Sequence, residues 1–455
     1  MAAPGLMSAE TVGSRQWGPV DATAEIDGSP QGGSPFEFDI AIVGLGYVGL
    51  PTSLAFHAAG RRVLGVDVSE RRLAVIEQER ADLLESDRER LTLALSDPGF
   101  EMTTDTARLS RAAAVIICVP TPVDHYLVPD LRILESACAT VVAAATPGQV
   151  LLLTSTTYVG TTRDMLVAPL AARGLIAGRD LFVAFSPERI DPGNDRHAHE
   201  DVPRVLGGST PVCAQRAAAV LESYAKNVHI VPSPDSAEMT KLLENTFRAV
   251  NIALANEFAE ICNVMGVGVE VIDVINAAAT KPYGFMPFFP GPGVGGHCIP
   301  CDPHYLLWQL RRERLSTPVI EQAMAGIAGR PHRVVARIRE TLSEAGRGLT
   351  GARVLVVGVA YKPDVQDLRE SPALEVLSEL IADGVTVAYH DPLFASVSLP
   401  EGTTLIGVDD PAGFDADLVL LHTAHQAVDL SWLSDQPLVL DATYRLADVP
   451  HRIVL

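Results

Sequence analysis

The chain has 455 residues, 47% of them hydrophobic, and a formal net charge of −21 at pH 7. That length exceeds one ordinary domain and leads to an expectation of about two to four. The acidic balance is spread along the chain and argues against a nucleic acid or an anionic membrane as partner, because phosphate-rich surfaces repel it; a small anionic ligand needs only a few local cations.

Residues 1–37 are rich in Gly, Ser, Pro, Ala and acids without periodicity and read as a disordered extension. At Phe38 the pattern changes. FDIAIVGLGYVGLPTSLAFHAAGRRVLGVDVS reads as strand, glycine turn, helix, strand. The short apolar runs AAVIICVP, VLLLTS and LFVAFSP follow, alternating with helical segments, which predicts a parallel α/β sheet over residues 38–235. Gly44, Gly46 and Gly49 form G-x-G-x-x-G between the first strand and the helix. Such a turn lets the backbone approach a pyrophosphate at the helix N-terminus. The next strand ends in Asp67, whose carboxylate suits a ribose diol and repels a 2′-phosphate, so NAD is expected rather than NADP.

From Ser236 to Met265 the apolar residues fall at helical spacing, predicting one helix of about 45 Å. It opens a helical middle region, 236–335, suited to a spine between domains and to a dimer interface. On this helix Lys241 and Asn245 stand four residues apart and face the same way, as an ammonium and an amide would to meet a developing oxyanion. Only four lysines occur in the chain, Lys226, Lys241, Lys281 and Lys362, which singles out those retained among many arginines. Glu188 in FSPERIDPG and Thr121 in VPTP each follow a predicted strand, where loop residues reach an active site.

The segment PGPGVGGHCIPCDPHYL, residues 290–306, holds a Gly/Pro loop, then Cys298, then Asp302. A helical turn there places thiol and carboxylate on one face. A thiol adds to an aldehyde, the adduct can lose a hydride, and a carboxylate can orient the water that cleaves the resulting thioester. His297, Cys298, Cys301 and His304 also resemble a zinc-ligand cluster, and C-x-x-C can be a redox pair, but a lone C-x-x-C with no second pair elsewhere supports either only weakly. The six cysteines, several in apolar runs, read as reduced, intracellular usage. No secretory signal and no bilayer-length apolar run is apparent, so a cytoplasmic location is expected. A second strand–turn–helix start, ARVLVVGVAYKPDVQDLRESPALEVLSELIADGVTVAYHDP, opens a further α/β domain over 336–455, with Gly358 but no full fingerprint.

The motifs GLGYVG, VPTP, STTYVGTT, SPERIDPG, KLLENTF, GPGVGGHCIPCDP and AYKPDVQDLRESPALEV occur in one order. Together they resemble the UDP-glucose/GDP-mannose dehydrogenase family over about residues 39–450. The resemblance implies two Rossmann-like doubly wound domains joined by a long central helix and helical dimerisation region, the first binding NAD and the last UDP. It implies Cys298 as nucleophile, Lys241 and Asn245 at the oxyanion, and Asp302, Glu188 and Thr121 handling water and protons. NAD would be held by Gly44, Gly46, Tyr47, Val48, Gly49, Asp67, Arg72, Thr121, Thr156 and Arg369. The UDP-sugar would meet Glu188, Lys241, Asn245, Lys362 and the loop Phe289–Gly295 with Gly291 and Gly293. No metal is expected.

The family's UDP-glucose branch carries Lys where Cys301 stands here. The resemblance therefore favours four-electron oxidation of a UDP-N-acetylhexosamine, UDP-N-acetyl-D-glucosamine first, for surface polysaccharide. UDP-glucose and the galactosamine and mannosamine sugars are the alternatives. Two departures stand out. The family's N-x-x-M-P is IAGRP at 327–331, and Cys301 beside Cys298 would allow a non-productive disulfide.

Overall fold

The structure, a computed structural model, describes residues 35–455 apart from 82, 84, 190–199, 266–268, 297 and 448. The extension expected over 1–37 falls almost wholly on residues 1–34, outside the described residues, as does His297.

The first sheet contains β1 (Phe38–Val43), β2 (Val63–Val66), β3 (Phe100–Thr103), β4 (Ala112–Ile117), β5 (Val150–Leu153), β6 (Phe182–Phe185), β7 (Arg204–Gly208) and β8 (Val228–Val231). Their order is β3-β2-β1-β4-β5-β6-β7-β8. Alternating side chains of each strand feed two apolar layers. Ile40, Ile42, Ile116 and Leu152 enter one, while Ala41, Val43, Ile117 and Leu153 enter the other. Burial on both faces is why these strands read as continuous apolar runs. Pairing is parallel from β3 through to β6, as the sequence predicts, but β7 runs antiparallel to β6. Glycines in β7 let the following helix and the start of the long helix pack closely on it. A side chain at Gly207 would stand 2.1 Å from the Ser233 carbonyl oxygen, and one at Gly208 2.3 Å from the Ala214 nitrogen.

The chain then enters a helix over Pro234–Met265, 32 residues, about 48 Å at 1.5 Å per residue. It begins two residues before Ser236, because proline is tolerated in a helix's first turn. Its buried side is narrow and small, with Ala237, Ala249, Ala253 and Ala259, so other elements approach closely. Helices Asp302–Glu313 and Pro318–Ala328 pack on it.

The second sheet contains β9 (Arg353–Val357), β10 (Thr386–His390), β13 (Leu418–Leu421), β14 (Val439–Asp441) and β15 (Arg452–Val454), all parallel in the order β10-β9-β13-β14-β15. A small antiparallel pair, β11 (Ser396–Ser398) and β12 (Thr404–Ile406), stands apart. The chain thus has two α/β units joined by a long central helix.

The two units repeat one turn in detail without repeating sequence. Gly44 N–H donates to the Val66 carbonyl at 2.8 Å and Leu45 N–H to Asp67 Oδ2 at 2.9 Å. Gly358 N–H donates to the His390 carbonyl at 2.8 Å and Val359 N–H to Asp391 Oδ2 at 2.7 Å. The copies differ at the acid. Asp391 Oδ2 also accepts from Ala360 N–H and meets His425 Nε2 at 3.1 Å, and its side chain is fully buried. Asp67 is half-buried.

Candidate active site

The carboxyl ends of β1, β4, β5 and β6 open on one edge of the first sheet, where ligands of such sheets bind. The β1 turn is built by its glycines. Gly44 has φ +91°, and a side chain there would lie 2.5 Å from the Cys118 carbonyl oxygen. One at Gly49 would lie 1.8 Å from the Gly44 carbonyl oxygen, whereas one at Gly46 would meet no protein atom within 4 Å. The turn is therefore closed behind and open in front, and the helix Gly49–Ala58 begins at it with no side chain capping its start. That fits a dinucleotide pyrophosphate.

Asp67 accepts the Leu45 and Ser69 N–H groups, one on each carboxylate oxygen, both at 2.9 Å. Each oxygen keeps a lone pair for a ribose hydroxyl. Arg72 Nε donates to the Leu45 carbonyl at 2.7 Å, so its guanidinium braces the turn. Tyr47 and Val48 lie within the turn, half-buried. The ends of β4 and β5 are stitched together by Ser155, whose hydroxyl accepts the Val119 N–H at 3.0 Å. Thr121 and Thr156 follow these strands, both half-buried, and Thr121 neighbours the Tyr305 hydroxyl. Gly49→Ala is expected to cost about 2 kcal/mol or more of stability, since backbone must move, and to weaken NAD at least severalfold. Thermal melting with an NAD titration checks both.

Across the cleft, Arg369 lies 4.1 Å from the centroid of the Tyr47 ring. Asp367 grips its guanidinium at 2.6 Å, and its carbonyl accepts the Gly296 N–H at 2.9 Å. One residue of the second α/β unit thus touches both the cofactor turn and the loop leading to Cys298.

Cys298 sits in a turn entering the helix Asp302–Glu313. Its carbonyl accepts the N–H groups of Cys301 and Asp302 at 3.2 and 2.8 Å. Burial pushes the Cys298 thiol up to about 11, and the Asp302 carboxylate pushes the same way; the cations of Lys241, Arg248 and Arg369 oppose both. Asp302 is buried, which raises its carboxyl to about 6 against the pull of the Lys241 ammonium and the Asn245 amide. Asn245 Nδ2 donates to the Asp302 carboxylate. Lys241 Nζ donates to the main-chain carbonyl of Glu188 at 2.8 Å. The Glu188 carboxylate itself is ion-paired with buried Arg204 and accepts the Arg189 N–H at 2.7 Å.

The structure therefore brings Cys298, Lys241, Asn245, Asp302 and the Glu188 main chain together. It adds Arg248, seven residues after Lys241 and on the same helical side, a spacing the sequence displays. It also adds Arg204, whose only sequence signal is a charge at the start of an apolar strand. Cys301 is buried, its thiol pushed up to about 12 by burial first. Burial lowers His304 below its ordinary value. Among the described residues no group of three or more His, Cys, Asp or Glu could hold a metal.

The loop before Cys298 leans on the second α/β unit. A side chain at Gly293 would stand 2.6 Å from Pro372 Cγ, and one at Gly295 2.5 Å from Tyr361 Cβ. Phe289 remains 49% exposed. Lys362, beside Tyr361 on the loop after β9, is half-buried.

A glycine turn for NAD, a second nucleotide-type unit and a cysteine loop between them define a dehydrogenase of nucleotide-linked substrates. The comparisons agree. Residues 38–225, 235–326 and 355–447 match the NAD binding, central and UDP binding domains of the UDP-glucose/GDP-mannose dehydrogenase family. The chain is 34% identical over 393 residues to UDP-N-acetyl-D-glucosamine 6-dehydrogenase of Pseudomonas aeruginosa, covering 86% of this chain and 91% of that one. It is 34% identical over 355 residues to UDP-N-acetyl-D-mannosamine dehydrogenase of Yersinia pestis, covering 76% and 82%. The solved UDP-D-ManNAc dehydrogenase of Pyrococcus horikoshii superposes with a TM-score of 0.82 at 31% identity, covering 91% and 98%. The chain belongs to the UDP-glucose/GDP-mannose dehydrogenase family. It is an NAD-dependent UDP-sugar dehydrogenase that oxidises a CH–OH group. Among the described residues no helix is long and apolar enough to cross a membrane.

Proposed function

We propose that the enzyme oxidises the C6 alcohol of a UDP-N-acetylhexosamine, UDP-N-acetyl-D-glucosamine first, to the 6-carboxylate through a covalent intermediate on Cys298. The observation that carries this reading is the convergence of a thiol, an ammonium, an amide and a buried carboxyl titrating at about 6. NAD, when bound, supplies the hydride acceptor and is used twice per sugar. Gly44 to Gly49, Asp67, Arg72, Thr121, Thr156 and Arg369 hold it. Lys362 and the loop Phe289–Gly295 hold the UDP-sugar.

At the aldehyde stage the Cys298 sulfur bonds to C6 and gives up its proton towards Asp302. Lys241 and Asn245 donate to the oxygen that gains charge. Loss of a second hydride leaves a thioester. Asp302, ionised above pH about 6, takes a proton from the water that attacks C6, and the C6–S bond breaks to return the thiol. Thr121 and Glu188 are assigned to orient that water, the Glu188 carboxylate being held by Arg204. The sum is one alcohol and one water converted to a carboxylate, with two hydrides and three protons released.

The relative from Pseudomonas aeruginosa, named for the glucosamine sugar, supports the first choice. The mannosamine epimer is the second reading, favoured by the relatives from Yersinia pestis and Pyrococcus horikoshii. NADH release measured with UDP-N-acetylglucosamine, its two epimers and UDP-glucose tests both. Two NADH per N-acetylated sugar are expected. One per sugar, or a preference for UDP-glucose, overturns the proposal. The product would serve as a uronic acid precursor for surface polysaccharide, made in the cytoplasm.

We further propose a homodimer through the long helix. Met239, Leu243, Phe247, Leu254, Phe258 and Ile261 are exposed at helical spacing along it, Leu243 by 65%, an apolar stripe that water alone would not favour. The paired change Leu243→Glu and Phe258→Glu is expected to lower the solution mass from twice 48.4 kDa to 48.4 kDa. Light scattering reads the result, and an unchanged mass excludes this interface.

A further inference from the structure

Gly291 lies outside helix and strand, so its N–H and C=O need partners from elsewhere. Two helices supply them. Asn256, on the long helix, accepts the Gly291 N–H at 3.0 Å. Arg330, the first residue of the helix Arg330–Glu344, donates Nε to the Gly291 carbonyl at 2.9 Å. Arg330 is only 4% exposed, and a buried guanidinium persists only where charge is paired. Glu260 provides that charge, with Oε1 2.7 Å from Arg330 Nη1, while its other oxygen takes Arg333 Nε at 3.0 Å. The Tyr444 hydroxyl closes the far side at 3.5 Å.

Gly291 also differs from the loop's other glycines. Packing against Pro372 and Tyr361 demands glycine at 293 and 295, but a side chain at 291 would meet nothing within 4 Å. Nor is the φ of Gly291 positive. Neither conformation nor the protein's own packing asks for glycine there. Open space before a backbone clamped at both its polar groups fits a ligand that comes close to the main chain.

We propose that Arg330 is a positioning residue for the UDP-sugar: with Asn256 it clamps Gly291 and so sets the loop Phe289–Gly295 at the height the substrate requires. This rests on assigning that loop to the UDP-sugar. It also gives a role to the arginine of IAGRP, where the family pattern has methionine. Because the clamp acts on the loop and not on the reacting carbon, its loss raises the KM for UDP-sugar and spares kcat.

The test uses the full chain and whichever UDP-sugar the unaltered enzyme turns over. Arg330→Met is expected to raise the UDP-sugar KM about tenfold or more, with kcat and the NAD KM within about twofold. Arg330→Lys should fall between, because an ammonium has no planar fork to serve Gly291 and Glu260 together. Gly291→Ala should raise the same KM without moving the melting temperature. Should Arg330→Met unfold on leaving Glu260 with Arg333 as its remaining partner, the double change Glu260→Gln with Arg330→Met removes both charges of the lost pair and gives the same readout. An unchanged UDP-sugar KM in the Arg330 variants, or an equal rise in both KM values, overturns the clamp. Calorimetry with UDP separates this from failure of the underlying assignment. If the unaltered enzyme neither binds UDP nor oxidises any UDP-sugar, it is the loop's assignment that falls.

Discussion

Replacing Cys298 by Ser is expected to lower turnover on the order of 10³-fold or more while UDP-sugar affinity stays within a fewfold, because the hydroxyl cannot stand in for a thioester-forming sulfur. The covalent step gives a second readout. Acid quenching of the unaltered enzyme during turnover should yield protein heavier by one bound UDP-sugar acyl group, and the Ser variant none. Its electrostatics are specific as well. With the thiol pushed up to about 11, the thiolate is scarce at neutral pH and grows about tenfold per pH unit below that value. Alkylation of Cys298 should rise at that slope from pH 7 to 10. Lys241→Ala removes one of the three cations that oppose the rise, so it should slow alkylation further. A Ser variant with ordinary turnover would refute the nucleophile, and alkylation indifferent to Lys241 would break the link between the long helix and the thiol.

Part of this site was legible in the sequence because it depends on near neighbours in the chain. The continuous buried run Ile40 to Val43, the glycine turn and Asp67 follow from local spacing. So do the pairs Lys241 with Asn245 and Cys298 with Asp302, each four residues apart on a turn. What was not legible depends on pairing across the sheet. The reversal of β7 is invisible in RVLGG, yet it delivers Arg204 to Glu188 and so decides where that carboxylate points. The second unit copies the cofactor turn, but only the fold reveals that Asp391 is consumed by Val359, Ala360 and His425. Arg248 was within reach of the same spacing argument that selected Lys241. Arg330 was visible only as a departure from a pattern, and its meaning required the loop carbonyl it holds.

The Asp302→Asn variant is expected to be more stable than the parent at pH 8 and nearly inactive. The parent carboxyl has an ordinary value of 3.8 and about 6 when folded, raised by burial. Well below the ordinary value of 3.8 the group is protonated in both states and burial carries no ionic penalty. As pH rises through 6 the folded chain must ionise a buried acid, and stability is lost. Two pKa units amount to about 3 kcal/mol at pH 8. Asparagine has nearly the same shape, can still accept from the Asn245 amide and never ionises, so it avoids that loss. Its melting temperature should exceed the parent's by several degrees at pH 8, the gap closing towards pH 4. Turnover should fall on the order of 10² to 10⁴-fold, the usual share of a general base. The parent's kcat should rise with pH through about 6, a limb the variant lacks. A gap independent of pH, or a parent more stable than the variant at pH 8, would mean that Asp302 is not held at the expense of the fold. Strain stored at this one carboxyl would then not be what keeps a base half-ionised near pH 6 beside the thiol.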